Sequence, residues 1–115
     1  MTKMKSLTTI FICLALASCV NVSKSGYYWG TYSQTYYQLL KDPTEKNIEA
    51  HKSSLHEIIK ISKERQLRVA PGINAELAFM LSKDNEGIPE SLYAQELKLY
   101  PESKIFIERL NNKKK

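Results

Sequence analysis

The chain has four prolines, at positions 43, 71, 89 and 101, and each heads a stretch whose apolar residues recur every three or four positions. Proline lacks a backbone N–H and clashes inside a helix, yet its fixed φ suits the first helical turn. The prolines therefore read as start signals. They divide the carboxyl-terminal three-quarters of the chain into helices joined by short loops. Strand signals are few, and the expected fold class is all-α.

The first helix is expected over residues 27–41, where Trp29, Tyr32, Tyr36, Leu39 and Leu40 recur at helical spacing. Gly30 weakens it, since glycine costs a helix about 1 kcal/mol. In Asp42-Pro43-Thr44-Glu45, Asp42 is the expected N-cap, Pro43 the first helical residue and Glu45 the capping-box acid. The second helix then spans 43–66, with Ile48, Leu55, Ile58, Ile59 and Ser62 on one face. Glu45, Lys46, Glu49, Lys52, Glu57, Lys60, Lys63 and Glu64 form its wet side. Residues 67–70 precede Pro71 and should be extended. A third helix follows to about residue 82, with Ile73, Leu77, Met80 and Leu81 as its stripe and small Ala75 and Ala78 allowing close approach. Residues 83–87 form a turn. The fourth helix, 89–100, carries Leu92, Tyr93, Leu97 and Tyr100. Pro101 opens a fifth, whose expected buried residues are Ile105, Phe106 and Leu110.

Helices paired by short loops suggest a helical-repeat architecture. Trp29-x2-Tyr32-Ser33-x2-Tyr36 keeps the spacing of the first tetratricopeptide helix, Trp-x2-Leu-Gly-x2-Tyr, with substitutions. Glu45 and Glu49 break the second half. Leu77-Ala78-x2-Leu81 echoes a first helix again, and Tyr93 with Tyr100-Pro101 echoes the end of a second, with one residue missing in the turn between them. The expectation is two degenerate tetratricopeptide-like hairpins over 27–110 with a terminal capping helix. A plain irregular bundle is the alternative.

Ahead of the helices, Lys3 and Lys5 precede an apolar stretch over 7–16 that ends in Leu16-Ala17-Ser18-Cys19. A basic start, a short apolar run and small residues before a cut form the secretory-signal pattern. A spanning helix needs about 20 apolar residues. The tetrapeptide resembles the lipobox of bacterial lipoproteins. That resemblance implies a signal peptide over 1–18, cleavage before Cys19 and lipid on its thiol and new amine. Several acyl chains anchor stably where one does not. Val20 stands where an Asp often marks inner-membrane retention, so the resemblance implies the periplasmic face of the outer membrane. Cys13 leaves with the signal, and no thiol then remains for a disulfide or a thiolate metal site. Residues 19–26 read as a lipidated tether, of which 19–25 extended would reach about 25 Å. The net charge of +5 includes the signal lysines and the basic tail over 111–115, so the body is near neutral and no nucleic-acid partner is expected.

Tyr28-Trp29-Gly30-x-Tyr32-Ser33, Asp42-Pro43-Thr44, Pro71-Gly72-x2-Ala75-Glu76-Leu77, Glu96 and Tyr100-Pro101-Glu102-Ser103, after the lipobox, are similar to the Gram-negative lipoproteins grouped as domain of unknown function 4810. The resemblance carries no catalytic residue. It implies an envelope assembly, since such lipoproteins resemble those accompanying curli-secretion-type outer-membrane lipoproteins.

Chemistry is sparse. His51 and His56 lie five apart, about 140° round a helix, too far apart to share a metal on one face. Both are expected solvated or half-buried. The four glycines are isolated, which leaves no phosphate loop. Glu76 is the one acid within an apolar stripe, expected to pair with Arg68 or cap a helix end. Neither catalytic residues, cofactor nor metal is expected. An enzyme would need Glu76, His51 and His56 to converge. Tyr27, Tyr28, Trp29, Tyr32, Tyr36 and Tyr37 crowd eleven positions. Such rings combine apolar area with a polar handle. They serve as core of the first hairpin, as a docking face, or as a stacking surface for peptidoglycan. The leading expectation is a non-enzymatic accessory lipoprotein that binds an envelope lipoprotein or outer-membrane assembly protein. A glycan-binding module is the alternative.

Overall fold

The structure, a computed structural model, describes residues 26–113. Cys19, where lipidation is expected, the expected signal segment over 1–18, most of the expected tether and the last two lysines lie outside the described residues. The described part is all-helical: α1 (Tyr32–Lys41), α2 (Glu45–Glu64), α3 (Ile73–Lys83), α4 (Pro89–Leu99) and α5 (Lys104–Asn112), with a 3-10 turn at Pro101–Ser103 before α5. Neighbours in sequence pack on each other, α1 on α2, α2 on α3 and α3 on α4. No helix among the described residues is long and apolar enough to cross a membrane.

Local chemistry sets the boundaries. α1 begins later than position 27 because Gly30 adopts φ +46°, and the Tyr32 N–H closes a turn onto the Trp29 carbonyl. A side chain at Gly30 would meet the Tyr28 ring at 3.2 Å. Asp42 is not the cap of α2. It ends α1, and its carbonyl accepts from Asn47 Nδ2 at 2.7 Å. Thr44 caps α2 instead, in extended backbone, its hydroxyl accepting the Asn47 N–H at 3.3 Å. Gln66 and Asn85 take left-handed φ just past α2 and α3. The next amides reach back to Ser62 and Leu81, which closes each helix in a Schellman-type turn.

The main core joins Leu55 and Ile58 of α2 to Ala70, Ile73, Leu77 and Leu81, with Tyr28, Tyr32 and Leu92 against it. A second cluster joins Ala75 and Ala78 to Tyr93 and Ile107. The small alanines let α3 and α4 approach closely. α5 buries Ile107, flanked by half-buried Ser103 and Leu110, while Ile105 and Phe106 face out. The 3-10 turn at Pro101 shifts the helix phase from the one the sequence suggests.

Lys52 also departs from expectation. It is only 4% exposed, and its ammonium lies 2.6 Å from Asp84, 2.7 Å from Glu49 and 3.0 Å from Glu86. These bonds, Asp84 first, hold its pKa above the ordinary lysine value. The three carboxylates lie close enough together to hold a metal ion, but they converge on this ammonium.

Candidate docking groove and its polar wall

α3 presents one stripe, Gly72, Glu76, Phe79 and Lys83, at successive turns. Two cavities lie along it. The first, about 350 Å³, is lined by Trp29 and Tyr32 on one side, Phe106 and Leu110 on the other, and Glu76 and Phe79 between. The second, about 330 Å³, shares Glu76 and Phe79 and continues to Leu39, Ile48, Met80 and Lys83. Sharing Glu76 and Phe79, they outline a groove along α3, walled in the first cavity by Trp29, Tyr32 and α5 and in the second by Leu39 of α1 and Ile48 of α2.

Glu76 is fixed by two other helices. Its Oε1 accepts from His51 Nε2 at 2.7 Å and its Oε2 accepts the Tyr32 hydroxyl at 2.9 Å. The other ring nitrogen of His51 meets the Thr35 hydroxyl at 2.8 Å. Thr31 and Ser54 hydroxyls add a 3.1 Å bond between α1's first turn and α2. Burial and the bond to Glu76 raise the Tyr32 pKa above the ordinary phenol value, so the phenol stays protonated and donates.

His51 is therefore neither solvated nor half-buried, as its sequence context suggests; it is 0% exposed with both ring nitrogens engaged. His56 is exposed, on a different side of α2. Glu76 pairs with His51 and Tyr32 rather than Arg68, whose guanidinium lies over the Tyr100 ring. The acid that reaches a helix end is Glu96: buried, it accepts the Gly72 N–H at 2.8 Å at the start of α3. Tyr100 ties the same region by donating to the Val69 carbonyl at 2.6 Å.

The aromatic residues separate by role. Tyr28 and Tyr32 pack against the core, and Tyr28 donates to Glu57. Tyr27, Trp29, Tyr32 and Tyr36 form a ladder of edge-on and stacked contacts with centroids 5.6 to 6.4 Å apart. Trp29 remains 45% exposed and Tyr37 60%. Of the six, Trp29 and Tyr32 line the first cavity. Phe79, Phe106 and Leu110 complete it, and sequence spacing alone does not join them to the amino-terminal rings.

A small all-helical domain with an aromatic-walled groove is the class this architecture defines. The profile of the family described as Domain of unknown function (DUF4810) matches residues 27–110, and the chain belongs to that family. No curated protein and no solved structure matches the chain.

Proposed function

We propose that the protein is a lipoprotein anchored through Cys19 to the periplasmic face of the outer membrane, where it serves as a non-enzymatic interaction subunit of an envelope assembly or secretion complex. The observation that carries this reading is the groove along α3, with Trp29 and Phe106 on its rims still 45% and 52% exposed. Exposed rings beside a concave apolar surface favour protein contact. The pairing of α1 with α2 and of α3 with α4 supports reading them as degenerate tetratricopeptide-like hairpins. The run Leu16-Ala17-Ser18-Cys19 supports the anchor.

The test is site-specific photocrosslinking in intact cells. A photoreactive phenylalanine at position 106 should give a discrete adduct with an envelope protein. The same group at position 60, on the exposed side of α2, should give none. Cys19→Ser should abolish the adduct by removing the anchor. Uncrosslinked monomer alone from position 106 would count against the reading.

A second reading, peptidoglycan binding, is favoured by the exposed rings of Tyr27, Trp29, Tyr36 and Tyr37. Co-sedimentation with purified sacculi, lost on replacing those rings by alanine, would support it over protein docking.

A further inference from the structure

We infer that the groove receives a polypeptide segment that places a lysine or arginine side chain over Glu76, an inference that rests on the docking reading above. Glu76 is the acid common to both cavities, and its side chain is still 26% exposed. Its oxygens accept from a tyrosine hydroxyl and an imidazole N–H. The imidazole is engaged on both sides: Nδ1 meets the Thr35 hydroxyl at 2.8 Å, and Nε2–H donates to Glu76 at 2.7 Å. The part of Glu76 that stays exposed lines the groove.

Among the described residues no lysine or arginine pairs with Glu76. Arg68 lies over Tyr100, Lys52 is held by Glu49, Asp84 and Glu86, and Lys83 lies 4.8 Å over the Phe79 ring. That last contact places an ammonium on one of the groove's own rings. Trp29, Tyr32, Phe79 and Phe106 line the same cavity as Glu76. Aromatic faces attract cations, and the attraction strengthens as water is excluded. A carboxylate among apolar walls likewise acts through a lower effective dielectric than water. A cation is favoured there and an acidic side chain repelled.

The dimensions favour a peptide over a lone headgroup. From Gly72 to Lys83 the stripe rises about 16 Å at the helical rise. That is the span of about five extended residues. The first cavity reaches Gly72 at one end of the stripe, the second reaches Lys83 at the other, and Glu76 and Phe79 line both. A segment with apolar residues on both sides of one basic residue matches that order.

Trp29 is the single tryptophan of the chain and lines the groove, so its fluorescence reports occupancy. The full lipidated protein in mild detergent is titrated with short leucine-alanine peptides that differ only in the central residue: arginine, lysine, norleucine or glutamate. The arginine and lysine peptides should bind about tenfold more tightly than the norleucine peptide, a difference of about 1.4 kcal/mol. The glutamate peptide should bind weakest, and added salt should narrow the gap. Glu76→Gln should erase the preference for a cation, bringing the arginine, lysine and norleucine peptides to one affinity. Phe106→Ala, at an exposed position, should weaken every peptide without unfolding the domain. Equal binding of the norleucine and arginine peptides would overturn the inference. So would a Trp29 response to phosphatidylethanolamine vesicles alone, or to no probe at all. If the position-106 adduct still forms in cells after any of these failures, the docking reading stands and only the cation preference falls.

Discussion

The two helical hairpins are held together by different means. In the second, α3 meets α4 through Ala75, Ala78 and Tyr93, and α3 also carries Ile73, Leu77 and Leu81 into the core it shares with α2. In the first, α1 has no fully buried residue. It is attached by Thr31 to Ser54, Thr35 to His51 and Tyr32 to Glu76. Apolar packing tolerates small shifts, whereas hydrogen bonds fix direction. The difference shows how a small domain keeps aromatic rings uncovered. α1 is oriented by polar bonds on its inner side, and its outer rings remain available.

Substitutions should rank accordingly. Leu77→Ala removes a fully buried side chain from the core and should cost about 2–5 kcal/mol in urea denaturation. A loss comparable to that of a surface change would break the contrast between the hairpins. His51→Ala leaves Glu76 and Thr35 without their shared partner and should cost about 1–3 kcal/mol. Hydrogen exchange should then rise in α1 before α4; equal rises in both would contradict the polar attachment.

Alkaline pH probes both hairpins. The Tyr32, Tyr100 and Lys52 pKa values are all raised, Tyr32 and Tyr100 mainly by burial and Lys52 mainly by Asp84. The folded state keeps these protons where the unfolded chain releases them, near pH 10. Stability from these groups is therefore fully present below about pH 10 and declines as pH rises beyond it. Urea midpoints that rise above pH 10 would contradict the assignment. Thr44→Ala should cost about 1 kcal/mol through loss of the α2 cap, whereas Asp42→Ala tests only the Asp42 side chain, which is not the cap. Smallest of all, Tyr37→Ala should change stability by under about 0.5 kcal/mol, as expected of an outward ring.

Helix number and most buried faces were legible in the sequence because periodicity and proline report local geometry. Leu55, Ile58, Leu77 and Tyr93 are buried as their spacing implies. Sequence and structure part where a local choice depends on a neighbour. Asp42 and Thr44 both have cap chemistry, and the backbone at Thr44 decides between them. The register of α5 depends on the 3-10 turn, which no periodicity in Ile105, Phe106 and Leu110 reveals. The groove was hidden for a further reason. His51 and Glu76 are 25 positions apart and Trp29 and Phe106 still farther, so only the packing of α2, α5 and the segment before α1 around α3 brings them together. The isolated acid in the α3 stripe was the visible clue, and its partners were not.

The polar attachment of α1 also has a mechanical consequence. A pull applied at the amino-terminal end first meets Tyr28, bonded to Glu57 and packed on the core, and then the three bonds made by Thr31, Tyr32 and Thr35. Those contacts load one after another, like stitches along a seam, before the packing between α2 and α3 is strained. The first helix should peel away at low tension while the remaining helices keep their shape, making α1 the domain's natural point of yield.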